Sequence, residues 1–353
     1  EIYTLSLHDA LPIFGRELMF LKRSLASFFS FAMIFALTLA VPASAATRTY
    51  KIKLAYLPPE AQSTHIGARD YFKKYVEEKS KGQIVVELYP NGVLGGDRQV
   101  IEAVQLGTIH MTIPAAAVLS GFEPKFQVLD FPYLFKDKAS AYRALDGELG
   151  KKLNGMLLPL GMRNLAFGEN GFRHVTNNRG PITKPSDMKG LKIRTMESPV
   201  HIASFKAMGG NPTPMNFGEL YTALQQKTVD AMECPIPLIY TSKFYEVQKY
   251  CSLTGHFYAA TVVLINEKFF QSLSKELQNI LQEGAILYRR EQRKISERQD
   301  SEMLEQLKKS GMRVNDVTPE QKKAFIEATR PVYDEFKKLV GDELIEMARK
   351  ANQ

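Results

Sequence analysis

Tryptophan is absent from the 353 residues, and cysteine occurs only at Cys234 and Cys251. That scarcity excludes a disulfide-stapled miniprotein, while 44% hydrophobic and 24% charged residues supply an ordinary globular core. An oxidising compartment permits a Cys234–Cys251 bridge, but a core of this size does not require one. Basic blocks are also missing. Lys and Arg number 46 against 38 Asp and Glu, a net +8 scattered along the chain, which argues against a nucleic-acid-binding arm and favours a small anionic ligand. The chain has no G-x-S-x-G elbow, no phosphate-binding G-x-x-x-x-G-K-[ST] loop and no G-x-G-x-x-G fingerprint. His65, His110, His174, His201 and His256 include no pair at helical spacing, so a helical zinc pair is lacking too. No enzyme activity, metal or other cofactor is expected. Repeats and Gly/Ser/Pro-rich linkers are absent; the length suggests two domains, but composition does not locate their boundary.

What is present begins with an address. Lys22 and Arg23 precede an apolar run from Leu25 to Val41, and Ala43-Ser44-Ala45 supplies the small residues that signal peptidase needs. Residues 19–45 are read as a signal peptide cleaved after Ala45, which sends the mature chain to the periplasm. No cysteine stands there to carry a lipid. Cleavage removes three basic residues (Arg16, Lys22, Arg23) and three acidic ones (Glu1, Asp9, Glu17), so the charge stays at +8. Residues 1–18, with Tyr3–Ile13 reading YTLSLHDALPI, look like a translated sequencing adapter, and translation is expected to start at Met19.

Strand-like runs (50–56, 84–88, 109–113, 165–169, 191–194, 229–232, 261–265) alternate with helix-like ones (64–79, 98–106, 199–208, 217–227), which predicts an α/β fold. From Ser274 to Ser310 runs a proline-free stretch that would span about 55 Å as one helix. Its apolar stripe thins between Arg289 and Glu302, as expected of a helix crossing two packed bodies with little core beneath its middle. Thr318-Pro319-Glu320-Gln321 predicts a capping box opening a last helix.

One constellation carries chemistry. The strand Leu191–Arg194 ends in arginine just before Ser198-Pro199, the expected cap and first residue of a helix. A helix N-terminus and a guanidinium fork together suit a carboxylate; an arginine paired with an acid of its own domain is the alternative. Asn216-Phe217-Gly218-Glu219 predicts a second capped helix start with Glu219 closing the box, and Phe217 is either core or a ligand-facing ring.

The segment FRHVTNNRGPITKPSDMKGLKIRTMESPVHIASFKAMGGNPTPMNFGELYTALQQKTVDAMECP, with KFYEVQKY after it, resembles the DctP-type solute-binding proteins of tripartite ATP-independent periplasmic (TRAP) transporters. LGGDRQVIEAVQLGTIHM and LDFPYLF fit the same family in order, so the likeness covers residues 48–340. It implies a two-domain periplasmic-binding-protein fold of the Venus-flytrap type, with hinge strands and a long spanning helix. The implied domains are 46–170 plus 259–298 and 171–258 plus 299–353. The resemblance puts the carboxylate-clamping arginine at Arg194, a second arginine at Arg173, the packing aromatic at Phe217 and a cleft histidine at His256. The usual Q-E-N-P reads Met232-Glu233-Cys234-Pro235, so Cys234 replaces a ligand-binding amide. Ala115 replaces an acid of the sialic-acid branch, which favours a simpler carboxylate.

The implied function is capture of a small organic acid in the cleft and delivery to a membrane permease, by a protein expected to be monomeric. A sensory binding protein that reports to a receptor, or less readily a periplasmic enzyme, is the alternative.

Overall fold

The computed structural model describes residues 48–353, so the expected signal sequence, its cleavage site and the adapter-like stretch lie outside the described residues. The strands are β1 (Tyr50–Ala55), β2 (Ile84–Tyr89), β3 (Met111–Thr112), β4 (Met162–Asn177), β5 (Lys192–Thr195), β6 (Asn211–Pro214), β7 (Ala231–Pro235), β8 (Tyr250–Leu253), β9 (Tyr258–Asn266) and β10 (Arg313–Asp316). Alternation in β1 buries Ile52 and Leu54 and leaves Lys51 and Lys53 exposed. All of β9 is buried, as in a central strand covered on both faces.

Two sheets share β4. In the first the order is β2-β1-β3-β9-β4, with β1 parallel to β2 and β3, and β9 antiparallel to β3 and β4. In the second, the end of β4 lies between β7 and β8; β5 and β6 extend one side and β10 the other. Sequence suggested a strand at 165–169, whereas β4 runs for 16 residues. Gly168, Asn170 and Gly171 break the apolar pattern because they sit at or beside register irregularities against β9, one of them between Glu169 and Gly171. Residues 49–353 form one compact unit.

The long helix is Lys275–Lys309, capped by Ser274, whose Oγ accepts from the Leu277 N–H at 3.3 Å. Its middle is not bare, as the thinning stripe suggested. Gln292, Arg293, Ser296 and Gln299 are buried there. Gln292 accepts from the Glu169 N–H at 2.9 Å and donates to the Glu169 carbonyl at 2.7 Å. Arg293 donates to the Phe167 carbonyl and forks onto Asp146 at 2.7 and 2.9 Å. The helix therefore meets β4 through a polar seam that satisfies backbone groups left over at the irregularities. The Thr318–Gln321 capping box forms, with bonds of 3.3 and 2.8 Å. Of the terminal segment, helix Asp342–Lys350 buries Leu344 and Ile345 in the same apolar cluster as Leu145, Leu149 and Leu153 before β4.

Both cysteines are free. Cys234 pairs with His174 across β7–β4, and Cys251 with Thr176 across β8–β4. A strand and a two-residue offset along it thus lie between them, a separation of about 11–12 Å at ordinary strand spacing and rise, beyond the reach of a disulfide.

Candidate functional site

Where β4 passes from one sheet to the other lies a cavity with about 590 Å³ of space not filled by protein atoms, solvent at its mouth included. Leu57, Asp97, Ala115 and Asn170 line it from the first sheet's side, and Arg173, Arg194, Phe217 and Cys234 from the second's.

Arg194 sits on β5, only 3% exposed. Its Nε and Nη2 donate to the Met215 carbonyl at 2.9 and 2.6 Å, and its Cζ stands 5.9 Å from the Phe217 ring centroid. No acid forms an ion pair with it among the described residues. Burial lowers its pKa, with the Glu233 charge opposing and Arg173 adding to the effect. A buried cation of this kind gains from an incoming anion.

Arg173 has a protein partner. It forks onto Glu233, through Nε to Oε2 and Nη2 to Oε1 at 2.8 Å, and Nη2 also reaches the Glu233 carbonyl at 2.9 Å. Burial opposes the Arg173 charge, but Glu233 outweighs it and raises the pKa above the ordinary arginine value. His256 does not line the cavity. It lies behind the arginine–glutamate pair, with Nε2 3.3 Å from Glu233 Oε2 and Nδ1 2.7 Å from Thr254 Oγ1. Cys234 does line it, but burial pushes its thiol up to about 12, so it is no nucleophile.

Two local expectations are corrected. Ser198 precedes the helix Pro199–Ala207 as foreseen, but its hydroxyl donates to Asp130 Oδ2 at 2.8 Å instead of capping. Asn216 Oδ1 caps the Gly218 N–H at 2.9 Å, without a closed box to Glu219.

Sequence reasoning missed Asp97 and Asn170. Each has a buried side-chain oxygen, Oδ1, with no hydrogen-bond partner. The irregularity in β4 carries Asn170; no sequence signal announces it. Burial pushes the Asp97 carboxyl up to about 7, against the Ala115 backbone and the Arg194 charge. Below that value Asp97 is a neutral donor; above it, a carboxylate facing any anionic guest. Affinity for a carboxylate ligand is therefore expected to fall as pH rises past about 7, by at most tenfold per pH unit, and Asp97→Asn should flatten the dependence. Calorimetry between pH 6 and 9 checks both.

At the cavity mouth two helix starts meet. A Cβ built on Gly96, which precedes the helix Asp97–Leu106, would stand 1.8 Å from Asn216 Nδ2. Gly96 has φ −72°, so alanine is allowed by its backbone; the clash is with the facing wall. Gly96→Ala is expected to weaken ligand binding roughly tenfold with little change in melting temperature, because Asn216 must surrender its cap to make room. Paired calorimetry and thermal denaturation measure the two effects.

Among the described residues no group of three or more His, Cys, Asp or Glu could hold a metal ion, and no helix is long and apolar enough to cross a membrane. A two-walled cavity with a poised cation and an inert thiol suits capture better than turnover, the property of two-domain solute-binding proteins. The chain belongs to the bacterial extracellular solute-binding protein family 7 (DctP), whose model matches residues 54–339; it is a binding protein of the TRAP type, not an enzyme. It is 38% identical over 295 residues to the 2,3-diketo-L-gulonate-binding periplasmic protein YiaO of Escherichia coli K12, covering 84% of this chain and 89% of that one. Its fold matches the sugar-acid-binding protein DctPAm of Advenella mimigardefordensis in complex with galactonate (TM-score 0.84, 35% identity, 86% and 98% of the two chains). A similar match is a TRAP periplasmic solute-binding protein from Polaromonas bound to D-erythronate (TM-score 0.82, 38% identity, 85% and 98%).

Proposed function

We propose that this chain captures a small hydroxylated organic acid and delivers it to a TRAP membrane permease driven by an ion gradient. The observation that carries this reading is the buried Arg194 guanidinium, without an ion-pair partner among the described residues, in a cavity whose facing wall holds the unpartnered oxygens of Asp97 and Asn170. A carboxylate would take Arg194, with Arg173 beside it and Phe217 against its carbon skeleton. Ligand hydroxyls would donate to the two orphaned oxygens, since buried polar groups seldom go unpaired. A second carboxylate would meet Asp97, which favours monocarboxylates over dicarboxylates. The sugar acids bound by relatives support the same class.

The two domains, 46–170 plus 259–298 and 171–258 plus 299–353, would close on the ligand about β4 and β9, with the terminal helix as a strap between them. Closure follows from contacts made to both walls at once, because a ligand shifts a conformational equilibrium only by its differential affinity. The chain would be a periplasmic monomer released after Ala45.

A thermal-shift screen tests the ligand class. Galactonate or erythronate should raise the melting temperature, about 2.7 kcal/mol of stabilisation being expected at a hundredfold excess over Kd. Galactose, which lacks the carboxylate, should not. Equal shifts with galactose and galactonate would contradict the reading.

A further inference from the structure

Side chains alternate along β4, so Phe172 and His174 project to the face opposite Arg173. There they line a second cavity, with about 1190 Å³ of space not filled by protein atoms. Tyr133, Phe135, Phe172 and Leu304 make its wall aromatic and aliphatic. Its wall carries cations without a partner: Lys136 and Lys322 form no ion pair among the described residues, while the lining acid, Asp300, shares the Lys138 ammonium with Glu169.

Polar groups converge near Gly255. His174 Nδ1 accepts from the Gly255 N–H at 3.1 Å, which leaves the proton of the neutral ring on Nε2 as a donor. A Cβ built on Gly255 would stand 3.9 Å from Lys322 Nζ and 4.0 Å from His174 Cε1. Its φ of +55° suits glycine, and the missing side chain leaves ammonium and imidazole around one gap. Tyr133, held at φ +56°, has a buried hydroxyl without a hydrogen-bond partner on the same wall.

We propose that this cavity is a second binding site, separate from the Arg194 cleft, for an aromatic carboxylate. The carboxylate takes Lys322 with the His174 N–H, and the ring lies against Phe135, Phe172 and Leu304. An apolar wall with few converging donors is what small-molecule sites show. Tyr133 and Phe135 come from the segment before β4, the other groups from β4 onward, so the occupant touches both sides of the crossing.

The probe is 2-naphthoate, whose fluorescence no tryptophan obscures in this chain. Saturable binding with Kd near or below ~1 mM is expected, the affinity that about a dozen non-hydrogen atoms deliver. It should persist in Arg194→Ala and in excess galactonate, and weaken at least about tenfold in Lys322→Ala. Leu304→Tyr, which narrows the cavity without adding a tryptophan, should weaken it further; if that variant does not fold, Lys322→Ala decides. Failure to saturate, loss of binding in Arg194→Ala, or unchanged binding in Lys322→Ala would overturn the second site. All three outcomes leave the cleft reading intact, and loss in Arg194→Ala would assign the naphthoate to that cleft.

Discussion

Arg194→Ala is expected to weaken binding of a carboxylate ligand by on the order of 30- to 3,000-fold, the equivalent of roughly 2–5 kcal/mol for truncating one partner of a buried charge pair. The loss arises because the ligand's carboxylate would remain desolvated with its principal counter-charge gone. Stability of the empty protein should not fall in parallel, since burial already disfavours the Arg194 charge and no ion pair is broken. Phe217→Ala removes the ring beside the guanidinium but leaves no charge unpaired, so its cost should be smaller. Isothermal calorimetry on both variants and the parent gives the ordering directly.

Glu233→Ala should instead destabilise the fold, by about 3–5 kcal/mol, because it strands Arg173 as an uncompensated buried cation. Burial raises the Glu233 pKa, but Arg173 and the bond with His256 outweigh it and hold the carboxyl well below its ordinary value of 4.5. A depressed acid contributes stability that is present above the unfolded value and lost as pH falls through the folded one. The parent should therefore lose this contribution only in strong acid, below about pH 4.5. The variant should lack it at neutral pH. Urea denaturation at pH 7 measures the difference; equal stabilities would mean that the pair is not coupled to folding.

The contrast between these two arginines explains how far the sequence could be read. The strand that carries Arg194 was legible because its context is local, but the choice between a ligand clamp and an internal ion pair came from the resemblance, and the helix start after it does not line the cavity. The resemblance added Arg173 and Phe217, and both line the cavity. Glu233 was visible only as part of a motif, because nothing in spacing says that residues 60 apart will pair. His256 was expected at the cleft wall, yet it packs one layer back, where Glu233 and Thr254 engage both ring nitrogens. Asp97 and Asn170 were missed for different reasons. Asp97 is an ordinary acid at a helix start until the facing wall buries it, and Asn170 depends on a strand irregularity that periodicity cannot register.

The long helix gives the same lesson in reverse. Its extent was readable from capping and the absence of proline, but the gap in its apolar stripe was read as little core beneath the middle, where a polar contact lies. Gln292 and Arg293 are polar and buried because β4 offers them backbone groups to satisfy, and Gln299 serves the Ala61 carbonyl and the Ser63 N–H in the same way. A hydrophobicity pattern sees only what oil would cover.

The most direct test is a crystal structure of the protein grown with galactonate. The expected density has the acid's carboxylate forked on the Arg194 guanidinium, with hydroxyls toward Asp97 and Asn170. A galactonate seated elsewhere, or turned so that its carboxylate leaves Arg194 facing only Met215, would contradict the arginine clamp.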